Sequence, residues 1–385
     1  MRRLDVLAVF REAWPWTGGL GIDICQLARG LAARGHRVQV ASISTGDPRE
    51  AETEDELTGV EFIGLRPYPG RRLGVEFGLA PGVGRLIDAR RPSIVHVFSC
   101  LPVYLHFTAM LAARRAGLPL VWTPMMHPVR QRQWQEYGAQ GLAMRAFDAI
   151  GPRAARLADA VIAATEEEAE AFRAAGGRRV EVIPPAVSPT DPPSEEQVAS
   201  FRDRFGVSDE PLVLLVAGRD ERRKGLDFAA RSMRVLRDAL PAARMLVVGD
   251  SIDGLRAADS GVIAAGRLSG EDLECAYSAA DVAFVPSRYE AFSRIVIEAW
   301  QHTTPVVVTS RVGLAEAVRD RAGGVVPFGD PAAAAEALRR RLVDRGLAQS
   351  EGAAGRALVE DRFLLSQAVA KTSSLYEELV GAARA

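Results

Sequence analysis

Short apolar runs alternate with stretches of helical spacing along almost the whole chain, and the alternation restarts once, after a cluster of prolines. Before the prolines, the pattern predicts strands at Leu4–Phe10, Val38–Ser42, Val60–Leu65, Ile94–Phe98, Leu120–Thr123, Ala160–Ala164 and Val180–Ile183. It predicts helices at Ile22–Arg34, Val83–Arg90, Tyr104–Ala116, Leu142–Leu157 and Glu166–Ala175. Strands that alternate with helices build a parallel sheet covered on both faces. Pro184–Pro193 then places five prolines in ten residues. Proline has no N–H for a ladder and disfavours helix in the residue before it, so this stretch reads as a linker. Afterwards the pattern resumes with strands at Leu212–Ala217, Met245–Val248, Val262–Ala264, Val282–Val285 and Val306–Thr309. Helices are expected at Ser194–Phe205, Leu226–Leu240, Glu271–Ala280, Ser293–His302, Pro331–Val343 and Ser366–Val380. The expected fold is α/β, with two doubly wound halves. Ligands of such sheets bind at the carboxyl ends of the strands, so two halves imply a cleft between them.

Bulk properties narrow the function. At 385 residues the chain exceeds one ordinary hydrophobic core. A net charge of -1 offers no global basic field for nucleic acid. Three distant cysteines, Cys25, Cys100 and Cys275, fit a reducing compartment rather than a disulfide framework. Asp5 breaks the first apolar run, which reads as a strand and not a signal peptide. No stretch approaches the ~20 apolar residues of a transmembrane helix. The expectation is a cytoplasmic protein, with room for peripheral contact at the inner membrane face.

Three constellations could carry chemistry. Glu290 lies in the loop after the Val282–Val285 run, and Glu298 lies eight residues later in a helix that opens near Ser293. A helix N-terminus after a strand suits a phosphate, and two carboxylates beside it suit hydroxyl groups, so the ligand carries both. The apolar neighbours of Glu298 imply partial burial and hence a need for partners. In Gly218-Arg219-Asp220-Glu221-Arg222-Arg223-Lys224-Gly225, Arg219 could grip a diphosphate as a fork and Lys224 as a point charge; a solvated charged turn is the plainer alternative. His127, in Thr123-Pro124-Met125-Met126-His127-Pro128, follows a strand and would point towards the cleft. His96 sits inside a strand and reads as structural. A glycine-rich turn, Gly18-Gly19-Leu20-Gly21, follows the first strand and permits close approach of backbone to a ligand. Asp-x-Asp, His-Glu-x-x-His, P-loop and nucleophile-elbow motifs are absent from the sequence.

Together these stretches resemble the retaining glycosyltransferases of the GT-B fold, in the GT4 (glycosyltransferase group 1) family. The resemblance spans nearly the whole chain, and its most specific part is Glu290 with Glu298, the Glu-x7-Glu motif. It implies GT-B architecture: two Rossmann-like domains facing across a cleft. Residues 1–185 would form the acceptor-side domain, joined by the C-terminal helix 366–385. Residues 186–193 would be the linker and 194–365 the nucleotide-sugar-binding domain. By the same resemblance, Arg219 and Lys224 bind the donor diphosphate in place of a metal, and no cofactor is needed. Glu298 holds the nucleotide ribose, Glu290 and His127 meet the donor sugar, and the backbone N–H groups of Phe292, Ser293 and Arg294 cap the phosphates. Gly18 and Gly19 line the donor pocket from the first domain. The family often has glycine where Ala291 and Ser293 stand, and Ser293 is expected to serve as a helix N-cap.

The implied partners are a UDP- or GDP-sugar donor and an unidentified acceptor, whether glycan, lipid-linked or a small molecule. Trp14, Trp16, Arg66–Arg72 and Val129–Tyr137 are candidate acceptor linings. Two alternatives share the architecture: a sugar-nucleotide epimerase, which needs no acceptor, and a relative that binds nucleotide sugar without turnover.

Overall fold

The structure, a computed structural model, describes residues 2–14, 19–44, 59–65, 75–99, 104–124, 151–218, 221–249 and 261–383. The chain divides into two compact units: Met1–Pro185 with Leu365–Ala385, and Ala186–Leu364.

The first unit runs β1 (Asp5–Trp14), α1 (Gly19–Ala33), β2 (Arg37–Ser44), β3 (Val60–Leu65), α2 (Val75–Arg90), β4 (Ile94–Phe98), α3 (Tyr104–Arg115), β5 (Leu120–Thr123), β6 (Ala160–Ala163), α4 (Glu166–Ala174) and β7 (Val180–Val182). Its strands form a parallel sheet in the order β3-β2-β1-β4-β5-β6-β7. The central strands are buried on both faces and so read as unbroken apolar runs. β4 is buried throughout, His96 included. Gly19, Leu20 and Gly21 open α1 rather than forming a separate turn, which corrects the expected glycine-rich turn at these three positions.

The second unit runs α5 (Glu195–Arg204), β8 (Leu212–Gly218), α6 (Glu221–Lys224), α7 (Leu226–Ala239), β9 (Arg244–Gly249), β10 (Val262–Gly266), α8 (Glu271–Ala279), β11 (Val282–Val285), α9 (Arg294–Gln301), β12 (Val306–Thr309), α10 (Ala315–Ala317), β13 (Gly323–Val326), α11 (Pro331–Val343) and α12 (Arg345–Arg362). The parallel sheet order is β10-β9-β8-β11-β12-β13. α5 starts where Ser194 and Gln197 form a capping box, satisfying donors that the first helical turn leaves unpaired. The proline-rich stretch is divided between the units: Pro184 and Pro185 close the first, and from Ala186 on it belongs to the second, where the Val187 N–H donates to the Phe363 carbonyl at 2.9 Å.

β13 and α12 go beyond the predicted elements. α12 carries Gly352 and Gly355 in its interior, which weakens its helical signal. Close packing requires them. A Cβ on Gly355 would fall 2.2 Å from the Trp300 ring, and one on Gly352 would fall 1.8 Å from the Thr303 carbonyl. The gap lets α12 press on the end of α9, and Trp300 is locked by its Nε1–H donating to the Ala322 carbonyl at 3.0 Å.

The last helix, α13 (Leu365–Ala382), packs in the first unit. Val369 fills the space left by Gly30 of α1. Ser373 Oγ lies 2.7 Å from His36 Nε2, and Tyr376 OH lies 2.5 Å from His96 Nδ1. The Leu4 N–H donates to His36 Nδ1, so neutral His36 carries its proton on Nε2 and donates to Ser373. Among the described residues, no helix is long and apolar enough to cross a membrane.

Candidate active site

The strand order of the second sheet reverses between β8 and β11, which lie side by side and parallel. Loops leaving the carboxyl ends of such neighbours diverge from a common point, where α/β sheets place their ligands. Here the two loops are α6 with Gly225, and Pro286–Ser293. Gly225 has φ +69°, and a Cβ there would sit 2.1 Å from the Pro286 carbonyl oxygen. Only glycine accepts both the conformation and the contact. The Arg288 N–H donates to the Arg223 carbonyl at 2.8 Å and joins the loops further.

That close approach assembles an ion cluster on Glu290. Lys224 Nζ donates to Oε1 at 2.6 Å and Arg223 Nη1 to Oε2 at 3.0 Å. Ser287 Oγ donates to Oε1 at 3.2 Å. The Glu290 backbone is also fixed: its N–H donates to the Arg311 carbonyl at 3.3 Å, and its carbonyl accepts from Gly313 at 3.0 Å. Only 7% of Glu290 is exposed. Burial alone would oppose its charge, but Lys224 and then Arg223 outweigh it and bring the carboxyl down to about 2.

Phe292, Ser293 and Arg294 lead into α9. The Phe292 ring is buried edge-on to Phe363, with centroids 5.7 Å apart. Ser293 occupies the N-cap position, but its side chain makes no capping hydrogen bond, which corrects the expected cap. Its φ is +93°, a region that L residues enter only under strain. Its hydroxyl oxygen is buried and has no hydrogen-bond partner among the described residues. Glycine would adopt this backbone freely. Ser293→Gly should therefore raise stability by about 1 kcal/mol in thermal unfolding, whereas Ser293→Ala keeps the backbone strain and should gain less. An unchanged or lower melting temperature for the glycine variant would contradict this.

α9 buries nearly all its side chains, Ile295, Val296, Ile297, Ala299, Trp300 and Gln301 among them. Arg294 and Glu298 stand four residues apart on the remaining face. Arg294 Nε donates to Glu298 Oε1 at 3.0 Å, and Arg294 Nη1 to the Ala186 carbonyl at 3.1 Å. The other oxygen of Glu298 accepts from Tyr277 OH at 2.7 Å. Burial, then the charge of Glu298, push the Tyr277 hydroxyl well above its ordinary range, so it stays a donor.

The structure thus brings Lys224 to Glu290 and Arg294 to Glu298, with Phe292 and Ser293 between the two carboxylates in the chain. Gly19 is an exposed residue in the first unit. Gly18, His127 and Arg219 lie outside the described residues, as do Trp16, Arg66–Arg72 and Val129–Tyr137. Neither Arg223 nor Tyr277 carries an individual signal in the sequence. Arg223 was legible only as one member of a basic run, and Tyr277 gave no more signal than any core aromatic.

Two family models match consecutive parts of the chain: the glycosyl transferase 4-like domain over residues 18–186, and glycosyl transferases group 1 over residues 211–344. The D-inositol 3-phosphate glycosyltransferase of Streptomyces scabiei is 30% identical, covering 97% of this chain and 91% of that protein. The chain belongs to the GT4 (group 1) glycosyltransferase family. Among solved structures, this glycosyltransferase is similar to sucrose-phosphate synthase from Thermosynechococcus elongatus, with a TM-score of 0.80 at 22% identity over 99% of this chain and 100% of that one. It is also similar to Anabaena Alr3699/HepE in complex with UDP and glucose, with a TM-score of 0.75 at 19% identity over 98% of this chain and 100% of that one. At these identities the likeness speaks for the fold, and the fold is GT-B.

Proposed function

We propose that this glycosyltransferase transfers a sugar from a UDP- or GDP-sugar to its acceptor with retention of anomeric configuration and without a metal. The observation that carries the reading is the meeting of Lys224 and Arg223 with Glu290 beside the start of α9. Breaking the bond at the anomeric carbon leaves negative charge on a diphosphate and positive character on the sugar. Lys224 has three N–H donors, and one is on Glu290. The others can meet diphosphate oxygens, with the first N–H groups of α9, which no preceding turn can accept. Glu290, held charged by its cations, would face the sugar. Glu298 would take the ribose hydroxyls. Arg219 and His127 keep the roles that the family resemblance implies.

HepE was solved with UDP and glucose, which supports a nucleotide-sugar donor here. The relatives named for D-inositol 3-phosphate make an inositol phosphate the first acceptor to try. Thermal unfolding with UDP, GDP and their sugars is the direct test. A ligand at a hundred times its Kd should stabilise the protein by about 2.7 kcal/mol, a shift of several degrees. No shift with any of them would sink the proposal. Incubation of the donor without acceptor should yield no epimer, and the anomeric coupling constant of the product should match that of the donor.

A further inference from the structure

Glu298 is held at two points. Tyr277 OH donates to Oε2 at 2.7 Å, and Arg294 Nε donates to Oε1 at 3.0 Å. A carboxylate offers roughly four lone-pair sites, so each oxygen keeps acceptor capacity beyond these bonds. The Glu298 side chain is 24% exposed, enough for that capacity to reach a ligand. Two adjacent oxygens, each with a lone pair to spare, match two adjacent hydroxyl groups, each with a proton to give. A ribose 2′,3′-diol has that arrangement and a 2′-deoxyribose lacks it.

Tyr277 is built not to move. It is 2% exposed, and its ring lies parallel to His302 at 5.7 Å and 6°. Its carbonyl accepts from Thr304 Oγ1 at 2.7 Å. His302 is itself gripped, with Nδ1 3.0 Å from Ser278 Oγ and Nε2 2.9 Å from Glu274 Oε2. The phenol therefore reaches Glu298 from a rigid support on α8, a different element from the α9 that carries both Glu298 and Arg294. Without that hydroxyl, nothing else described holds Oε2, and the carboxylate can swing into a fork with the Arg294 guanidinium. Fork pairing with Arg is the favoured geometry for such a pair. It would take the inward lone pair of each oxygen, and the two left over point away from each other, which does not match a diol.

We propose that Tyr277 is a positioning residue: it holds Glu298 out of that fork, so that the carboxylate reads the 2′,3′-diol of a ribonucleotide donor. The inference rests on the assignment of Glu298 to the donor ribose.

The test is calorimetric binding of UDP and 2′-deoxy-UDP, and of GDP and 2′-deoxy-GDP, to wild type, Tyr277→Phe and Glu298→Ala. Wild type should prefer the ribonucleotide by at least about tenfold, the worth of one good hydrogen bond to a charged group. Tyr277→Phe should lose about tenfold in ribonucleotide affinity and less than about threefold in 2′-deoxy affinity. A tyrosine needed only for packing would weaken both alike, and that result overturns the inference. If Glu298→Ala loses the ribose preference while Tyr277→Phe retains it in full, the donor reading stands and the role of Tyr277 is wrong. If neither UDP nor GDP binds wild type, or Glu298→Ala leaves the ribose preference intact, the donor reading itself falls and the inference falls with it. Should Tyr277→Phe fail to fold, Arg294→Lys loosens the other point of the clamp and should show the same selective loss of ribonucleotide affinity; an equal loss of both ligands counts against the clamp.

Discussion

Glu290→Gln should lower turnover at least ~100-fold with little change in donor KM, and should cost about 3 kcal/mol of stability at neutral pH. Both effects come from one charge. In the folded protein the carboxyl sits at about 2, against an ordinary 4.5, because Lys224 and Arg223 outweigh the cost of burying it. A gap of that size is worth about 3 kcal/mol between the protonation states. The folded value is the lower one, so the contribution is full above the unfolded value of about 4.5 and is lost as pH falls towards 2. Urea unfolding across this window should show wild type losing stability steeply, while the glutamine variant, already without the charge, follows a flatter line. Parallel curves would mean that the ion cluster does not hold in solution. The catalytic half is separate: glutamine keeps the shape but cannot offset positive character on the sugar. If turnover stays within threefold of wild type, Glu290 does not face the reacting centre and only organises the cations.

The second large effect lies in the first unit. His96 is wholly buried in β4, between Tyr376 OH at 2.5 Å and Thr123 Oγ1 at 2.6 Å, with the Phe98 ring 3.8 Å away. Burial lowers its pKa to about 3 from an ordinary 6.5. The unfolded chain takes up the proton first as pH falls, so the stability tied to neutral His96 is complete above pH 6.5 and drains away between 6.5 and 3. The full difference is on the order of 5 kcal/mol. Hydrogen exchange of the β4 and β5 amides should therefore quicken across that window, beyond the intrinsic pH dependence of exchange. His96→Gln should remove most of this acid sensitivity and cost about 1–3 kcal/mol near neutrality, because it disturbs buried hydroxyl partners. If wild type and variant respond to pH alike, His96 is not the group that titrates.

Much of the fold was legible because buried parallel strands leave unbroken apolar runs and their helices leave a regular spacing. The Ile94–Phe98, Val282–Val285 and Val306–Thr309 strands coincide with those runs. β13 and α12 were not legible, and glycine is the reason in each. Gly323 and Gly324 open β13, while Gly352 and Gly355 interrupt the helical signal of α12. In both elements a rule of local propensity yields to packing against a neighbour that the local sequence does not display.

The site divides along the same line. Period, turn residues and spacing are local properties of a chain, so the alternating α/β halves, the loop and helix start around Glu290 and Glu298, and the basic run that ends at Lys224 are all visible in the order of residues alone. Which charges meet is settled by packing. The reversal of strand order sets β8 beside β11, and Gly225 lets the two loops touch, so Arg223 and Lys224 converge on Glu290 across 67 and 66 positions of sequence. Packing also decides that Ser293 is a strained residue and not a cap, and that Tyr277, from another helix, holds Glu298. Such pairings depend on distances between distant segments, and those are fixed by the packing of the sheet.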